Sequence, residues 1–456
     1  MSMTVDAGAF DRKVAEVDRS ARRQRIWFFS ALAVSLAYLT LSWVQFDIGS
    51  IREKWRPDRA ALFVLDTYAH KDHVTMRWSA PEEVTVAFEG GHRQTYDPKP
   101  AWFTQERDGG RKIVYGNGGI VTFYDDVITL KWPDDDETYR FGLGPDGKPQ
   151  VLGYQGRLDD MPDWIRQTAN KVEVRPSLFE RLQVGTLKVE AHRYAVGWAY
   201  FWFDFDSPLR DVGFFQALGL MVSGDRVVPE MSNAALVWTE FRDNTLWGHG
   251  TVLWAMVETI FMALLGTMIA AGVGLPLAFL AARNVQPLWF ARFGLRRLFD
   301  ILRGIDTLIW SLIFLRAFGP GLFTGIFAIA FTDTGTLGKL MSEAIENADN
   351  KQREGIQSTG AAKVQQHRFG ILPQIMPIFI SQSLYYLESN TRGAVIIGAM
   401  GAGGIGLQFL GALQTGSDFE NVAYMAILVL LTVTAMDAMS SRLRRALIGV
   451  DENKTT

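Results

Sequence analysis

The feature that most constrains the fold is an uncharged run of 21 residues at positions 26–46. An α-helix rises about 1.5 Å per residue, so this run is long enough to cross a hydrocarbon layer about 30 Å thick. Segment 19–25 before it holds four arginines, which makes a signal peptide the alternative. The run is longer than the apolar part of a signal peptide, and residues 43–46 are bulky where a cleavage site needs small ones. We therefore predict an uncleaved membrane span.

Apolar character returns after residue 250 and persists almost to the end of the chain. Residues 254–281 form a long run in which Glu258 is the only ionisable group. Four weaker candidates contain Gly, Pro or single charges, at 298–318, 321–341, 375–400 and 421–439. Together with the first run, these segments predict six spans.

The distribution of basic residues predicts the orientation. If the N-terminus is cytoplasmic, every loop on the inside carries Lys or Arg: Arg12, Lys13, the arginines of 19–25, Arg283, Arg292, Arg296, Arg297, Lys351, Arg353, Lys363, Arg368, Arg442, Arg444 and Arg445. The outside loop 401–420 carries none. This asymmetry predicts a multi-pass membrane protein with both termini, including residues 1–25, in the cytoplasm.

Residues 47–205 have a different composition, rich in charge, glycine and turn signals, and the orientation places them outside the cytoplasm. Alternating polar and apolar residues predict strands at 73–78, 83–88, 112–115, 121–124 and 127–132. We predict a β-rich soluble domain inserted after the first span, then a connecting segment (206–250) and a transmembrane domain (251–448). The aromatic run 195–203 is expected to pack in the β core, with contact to the lipid surface as the alternative.

Several classes of function are disfavoured. A net charge of -3 argues against a nucleic-acid binder, and the absence of cysteine excludes disulfides and thiolate chemistry. The six histidines are scattered and form no H-E-x-x-H, so no metal site is predicted. Gly147-Lys148 and Gly338-Lys339 lack the other residues of a phosphate-binding loop, so the chain is not expected to bind ATP in that way.

A glycine-rich segment could also be interpreted as a dinucleotide-binding motif. Gly401, Gly403 and Gly406 match G-x-G-x-x-G, but apolar spans flank them instead of a βαβ unit. We interpret these three residues and Gly404 as hinge or packing glycines at the end of a span.

Charged residues inside the predicted spans mark candidate functional positions. Asp300, Arg303 and Asp306 fall near the start of the third span, and Glu388 and Arg392 lie four residues apart in the fifth. A charge in hydrocarbon is costly unless it is paired or faces a water-filled route, so Glu388, Arg392 and Arg303 are candidates for a translocation pathway. The alternative is that Glu388 and Arg392 form an ion pair that serves only packing.

A polar, basic loop at 343–373 separates the fourth and fifth predicted spans. Gly360 interrupts it and Pro373 ends it, which predicts two short helices joined by a glycine turn. With Ile356, Val364 and Phe369 as apolar contacts, such a pair suits docking into a groove of a partner protein.

The spacing of Glu354, Gly360, Leu372 and Pro373 resembles the coupling-loop signature of ABC importer permeases. That signature has the form E-A-A, three residues, Gly, nine residues, I-x-L-P. Segments 339–345, 353–360, 368–373, 384–392 and 398–406 also resemble the membrane-spanning permease subunit of phosphonate-type importers. The resemblance covers the first span and residues 210–448, and it leaves out the β-rich insert.

The chain departs from the signature at three positions. Gly355 and Ile356 replace the two alanines, and Gly370 stands where isoleucine is usual. Such departures are familiar among the phosphonate importers.

The resemblance implies an all-α polytopic membrane protein with the type I ABC importer transmembrane fold of about six helices, carrying a β-rich soluble insert. It implies a non-catalytic permease subunit for phosphonate or a related phosphorus oxyanion. ATP and Mg would be bound by a separate ABC ATPase, with no cofactor in this chain. The other partners would be a periplasmic phosphonate-binding protein, a second permease copy or paralogue and the lipid membrane, which the resemblance implies is the bacterial inner membrane. The alternative is a membrane-tethered receptor whose external β domain binds a ligand.

Overall fold

The computed structural model of this protein describes residues 7–89, 94–133, 135, 137–153, 161–222, 224–415 and 418–448. The chain divides into two compact units, Met1–Leu62 and Phe63–Thr456, which are considered separately. The first unit contains the long helix α1 (Ala7–Gln45), a 3-10 turn (Ile48–Ser50) and α2 (Ile51–Lys54). Helix α3 (Pro57–Asp66) leads into the second unit.

The second unit begins with a β domain. Its strands, as far as the structure describes them, are β1 (Ala69–Arg77), β2 (Ala80–Glu89), β3 (Gln94–Thr95), β4 (Phe103–Gln105), β5 (Arg111–Val114), β6 (Ile120–Phe123), β7 (Val127–Lys131), β8 (Thr138–Leu143), β9 (Pro149–Val151), β10 (Ile165–Gln167), β11 (Lys171–Val174), β12 (Glu180–Gly185) and β13 (Lys188–Val196). The five segments predicted as strands coincide with β1, β2, β5, β6 and β7 to within a few residues, which confirms them.

The strands form two antiparallel sheets. One has the order β10-β11-β12-β13-β1-β2-β3, and the other follows the chain from β4 to β9. Alternate side chains of each sheet point into one shared core, for example Val74 and Leu182 from the first sheet and Phe123, Ile128 and Phe141 from the second. Outside this core, Ala69 and Val196 pair directly in the β1–β13 ladder, so the chain enters and leaves the domain at one place.

The rest of the second unit is helical. Its helices are α4 (Phe214–Val222), α5 (Asn233–Arg242), α6 (His249–Ala281), α7 (Trp289–Gly304), α8 (Thr307–Phe318), α9 (Leu322–Glu346), α10 (Asn350–Gln357), α11 (Lys363–Gln366), α12 (Leu372–Ile397), α13 (Gly404–Thr415) and α14 (Phe419–Ile448). Two π-helical turns, His367–Ile371 and Gly398–Ala402, flank α12.

Within the described ranges, three helices are long and apolar enough to cross a membrane: Arg19–Gln45, His249–Ala281 and Phe419–Leu447. A fourth span is added if Lys363–Ala402 and Gly404–Thr415, which are bent by 62° relative to each other, count as one. The predicted number of six spans is therefore not confirmed.

The predicted span at 298–318 is wrong as a single helix. Helix α7 ends at Gly304 and α8 begins at Thr307, with Asp306 between them. The carboxylate of Asp306 accepts a hydrogen bond of 2.8 Å from the backbone N–H of Leu308 and so caps α8. Because an aspartate can satisfy a free N–H at a helix start in this way, it favours a new helix over the continuation of the previous one.

A stripe of small residues brings α6 and α9 together. Gly266, Ala270, Gly274 and Ala278 recur every fourth residue of α6, and all four are buried. A Cβ on Gly266 would lie 2.7 Å from Cγ2 of Ile329 on α9, closer than a methyl group can approach. Small residues at this spacing let two helices pack closely in a membrane, where the hydrophobic effect supplies little attraction between them.

Candidate functional site

The predicted coupling loop folds into two short helices, α10 and α11, joined by a turn. Asp349 caps α10 by accepting a hydrogen bond of 2.9 Å from the backbone N–H of Lys351. Gly360 lies in the turn with φ of 80°, a left-handed conformation that strains any residue with a side chain. Glu354 lies exposed on α10. The loop therefore has a defined, locally capped conformation.

The base of this loop is fastened to the helical core. The side chain of Gln374 bonds to the backbone of Asp349 at both its amide oxygen (2.8 Å) and its amide nitrogen (3.3 Å). Leu372 and Pro373 form the start of α12, and Ile371 beside them is buried in a cluster with Met341 and Ile345 of α9. A displacement of the loop would therefore be transmitted to α9 and α12.

The outer side of the loop carries apolar side chains that the described chain does not cover. Val364 is 76% exposed and Phe369 is 59% exposed. The loop therefore presents two apolar side chains at its surface, where polar side chains are more common.

The predicted pathway residues fall into two separate clusters. Arg392 donates a hydrogen bond of 3.0 Å to Glu388 on the same helix, and 58% of the arginine side chain is exposed. Arg303 instead belongs to a cluster around Asp300, which also contacts Lys339 of α9 at 3.5 Å. The predicted ion pair between Glu388 and Arg392 is present. The arginine side chain is nevertheless largely exposed on the surface of α12.

A third polar cluster lies between the helices and was missed in the sequence. The side-chain amide nitrogen of Asn390 on α12 donates to Oδ2 of Asp333 on α9 at 2.5 Å and to Oγ1 of Thr267 on α6 at 2.8 Å. Only 5% of Asp333 is exposed. A lone acid in the apolar part of α9 is a signal that could have drawn attention to this site.

The glycine-rich segment produces a sharp bend between α12 and α13. Gly401, Gly403 and Gly404 have φ of 107°, 88° and 67°, so the chain bends here without the strain that a side chain would cause. The N-terminus of α13 then meets α6, where Thr259 accepts a hydrogen bond of 2.9 Å from the N–H of Ile405.

This contact gives Glu258, the lone charge of its span, a structural partner. Its Oε2 accepts a hydrogen bond of 3.3 Å from the N–H of Gly404. A carboxylate at a helix N-terminus is favourable because the free N–H groups there carry partial positive charge. Gly406 makes the closest approach, since a Cβ there would overlap the carbonyl oxygen of Val395. A hinge function for these glycines stays a prediction.

The β domain is seated on the helices by the aromatic run that follows β13. The prediction that residues 195–203 pack in the β core is wrong for their aromatic part, because Trp198 and Phe201 pack with Trp247 and Tyr424 at the ends of α6 and α14. Strand β13 ends at Val196, so the run lies beyond the sheet.

His249 links three parts of this contact. Its Nε2 donates to the carbonyl oxygen of Phe201 at 2.5 Å, and its Nδ1 lies 2.9 Å from the hydroxyl of Tyr424. Because a carbonyl can only accept, the proton is on Nε2, and Nδ1 accepts from the tyrosine. The ring also stacks on Phe241 of α5 at 4.1 Å. The β domain, α5, α6 and α14 therefore meet at one side chain.

Comparison with known proteins identifies the helical part. The family model "Binding-protein-dependent transport system inner membrane component" matches residues 274–448. The chain is 38% identical over 188 residues to the putative phosphite transport system permease protein HtxC of Stutzerimonas stutzeri, a stretch covering 41% of this chain and 66% of that protein. It is 35% identical over 199 residues to the phosphite transport system permease protein PtxC of the same organism, covering 43% of this chain and 72% of that protein.

A third relative comes from another organism. The chain is 43% identical over 121 residues to the putative cryptic phosphonate transport system permease protein PhnE2 of Escherichia coli (strain K12), covering 26% of this chain and 98% of that protein. All three are transport permeases, which favours the importer interpretation over a receptor and supports the type I importer fold for the helical part. ABC importer permeases are non-catalytic membrane subunits that work with an ATPase and a binding protein. The chain belongs to the binding-protein-dependent transport system inner membrane component family and, within it, to the phosphonate-type ABC permeases.

Proposed function

We propose that this chain forms the transmembrane route for phosphonate or a related phosphorus oxyanion in an ABC importer. The observation that carries the proposal is the capped loop at 350–373, with its exposed apolar side chains, in a chain whose relatives are phosphite and phosphonate permeases. A separate ATPase binds ATP and Mg and supplies the energy, since this chain has no phosphate-binding loop. A periplasmic binding protein delivers the anion.

The coupling step follows from how the loop is built. Val364 and Phe369 enter a groove of the ATPase, and the turn at Gly360 fixes the angle between α10 and α11. Movement of the ATPase then reaches α12 through Leu372 and Pro373. Glu354, exposed on α10, contributes a charged contact at this surface. The basic residues near the loop support a cytoplasmic location for it, and the proposal puts both chain termini on the same side of the membrane.

Arg392 is the candidate for attracting the anion. A guanidinium presents several N–H donors in a plane and suits phosphorus oxyanions well. Because an exposed charge in hydrocarbon is costly, we infer that a second permease copy or a paralogue covers this side of α12 and encloses Arg392 and Glu388. Arg303 lies near the end of α7 and is assigned to the cytoplasmic part of the route.

We propose that the β domain serves as a docking platform for the binding protein or as a cap over the outer mouth. Its seat on α6 and α14 supports either role, because the domain then moves with two core helices. The pairing of Ala69 with Val196 allows a clean test, since residues 70–195 can be replaced by an Asn-Gly turn without separating the flanking chain. Full binding-protein-dependent uptake by the shortened chain would refute both roles.

The first experiment is gentle purification of the tagged protein from its native membrane, with mass spectrometry of the proteins that accompany it. We expect an ATPase with a phosphate-binding loop and a binding protein, whose affinities for phosphonate, phosphite and phosphate can then be measured by calorimetry. Recovery of the chain alone or with a signalling kinase would refute the proposal.

The coupling surface has its own matched variants. Gly360→Pro forces φ to about -65° at a position where φ is 80°, so it should abolish uptake while the protein still inserts into the membrane. Gly355→Ala is the control, since a Cβ there meets nothing within 4 Å and α10 is expected to tolerate alanine. Equal uptake by both variants would remove the loop from the mechanism.

A further inference from the structure

Helices α4 and α5 form a hairpin between the β domain and α6, and its apolar side is open. Phe215 is 84% exposed and Val222 is 89% exposed, and Leu218 and Trp238 are also exposed. Contiguous apolar surface of this kind is rarely left in water, because its burial is favourable in proportion to the area removed from water. This surface therefore has an occupant in the working protein.

A groove runs between the two helices. Its volume is about 230 Å³, and its lining is wholly apolar, with Trp202 and Phe214 at one side, Ala217 and Leu218 from α4 and Trp238 from α5. The ring centroids of Trp202 and Phe214 lie 4.6 Å apart, so the two rings pack against each other at that side. The groove is large enough for a slender apolar group, and its walls expose almost no polar surface.

The position of the hairpin next to the start of α6 indicates that it lies at the level of the membrane surface. Helix α5 ends at Arg242, and α6, which is long enough to cross the membrane, begins at His249. Phe241 of the groove stacks on His249 itself, so the groove lies level with the first turn of a membrane span. Tryptophan is favoured at this level, where an apolar ring lies beside a hydrated boundary. On α6 itself, Leu253 and Trp254 near its start are also exposed.

The chemistry of the groove selects its occupant. A peptide segment inserted here would bury backbone N–H and C=O groups against apolar walls, at a cost of several kcal/mol for each unsatisfied group. An acyl chain has no polar group to satisfy and gains from every contact. We propose that the α4–α5 hairpin lies in the membrane–water interface and that its groove holds one acyl chain of a membrane lipid.

The absence of natural cysteine makes the depth of the hairpin measurable. Single cysteines at Phe215 and Val222, each carrying a nitroxide label, would be compared with Lys131→Cys on an exposed position of the β domain. The full chain would be studied in phospholipid nanodiscs. We expect both hairpin labels to collide several-fold more with oxygen and several-fold less with a water-soluble nickel chelate than the label at 131. The same collision rates at all three positions would overturn the proposal.

The occupant of the groove is tested by filling it. Ala217 lines the groove, so Ala217→Phe should occupy its space, whereas Gly219→Phe adds the same ring to α4 where a Cβ meets nothing within 4 Å. Native mass spectrometry after delipidation should show one bound phospholipid in the wild type and in Gly219→Phe, and none in Ala217→Phe. Equal lipid retention by all three proteins would overturn the proposal, as would a copurified peptide or second copy cross-linked through the groove. The label experiment keeps the proposal testable if Ala217→Phe does not fold.

Discussion

Among the glycines that the structure describes, Gly406 leaves the least room for a Cβ, which allows a stringent test of the packing at the bend. Gly406 is the third residue of α13, and a Cβ there would overlap the Val395 carbonyl oxygen and lie 2.6 Å from the amide nitrogen of Ala399. Both groups are backbone atoms of neighbouring turns, so no side chain can rotate to make room. Gly411 lies on the same helix, and a Cβ there meets nothing within 4 Å.

The expected magnitudes follow from these contacts. At an open helical position, alanine is better than glycine by about 1 kcal/mol, so Gly411→Ala should leave the protein equally or slightly more stable. Gly406→Ala gains the same local preference but overpacks the bend, which costs about 1–3 kcal/mol even where side chains can adjust. Because the local preference is common to both variants, we expect them to differ by the overpacking cost of about 1–3 kcal/mol or more, which corresponds to several degrees in melting temperature.

The assay compares the two variants in one detergent. Stability is measured by thermal unfolding, with size-exclusion chromatography to detect the protein that remains folded. Transport is measured as uptake of a labelled phosphorus oxyanion by cells that express equal amounts of each variant. Melting temperatures within a degree of each other would show that α13 does not approach α12 as closely as described, and the reasoning would fail.

Three further predictions concern other parts of the second unit. Asn390→Ala leaves the buried carboxyl of Asp333 without its amide donor and should lower the free energy of unfolding by about 1–3 kcal/mol, whereas an unchanged melting temperature would show that the pair contributes nothing. Phe299→Ala empties a fully buried site beside Gly338 and should lower the free energy of unfolding by about 3–5 kcal/mol. Phe293→Ala removes an exposed ring from the same helix and should lower it by about 1 kcal/mol or less in the same thermal assay. Burial raises the pKa of Glu173, but hydrogen bonding to Lys171 and the charges of Arg181 and Lys171 outweigh it and hold the pKa below its usual value. This carboxylate therefore stabilises the β domain above the unfolded pKa of about 4.3, and the contribution is lost as the pH falls through the lower folded value. Glu173→Gln should accordingly show a smaller acid-induced fall in melting temperature than the wild type, with Glu137→Gln as the control, and identical acid curves would contradict the linkage.

Local patterns in the sequence were sufficient for much of the fold. Alternation predicted β1, β2, β5, β6 and β7 because one side of each strand faces a shared core, and period-two burial is visible in a short window. The long apolar runs predicted α1, α6 and α14, because the length and composition of a membrane span are also visible in one continuous stretch of sequence. The predicted hydrophobic run at 298–318 failed because hydropathy averages over Asp306, whose cap at the start of α8 depends on one side chain.

The sites show where local patterns are insufficient. Spacing within one helix predicted the pair of Glu388 and Arg392, since residues four apart lie on the same side. Asp333, Asn390 and Thr267 come from three helices, and no short window contains them. The role of Glu258 likewise appears only when α13 meets α6. The repeat of small residues on α6 was a sequence signal for close helix packing that hydropathy alone does not register.

The pairing of Ala69 with Val196 also bears on how the protein is made. Because the two ends of the β domain lie side by side, about 5 Å apart in an antiparallel ladder, the domain can fold as a closed loop without pulling the preceding and following segments apart. During synthesis, the domain would be translocated across the membrane as one continuous loop. Its two ends would then pair through β1 and β13. The same geometry would let such a module enter a permease gene at a single surface loop, and later be lost from it, with no change in the register of the membrane helices.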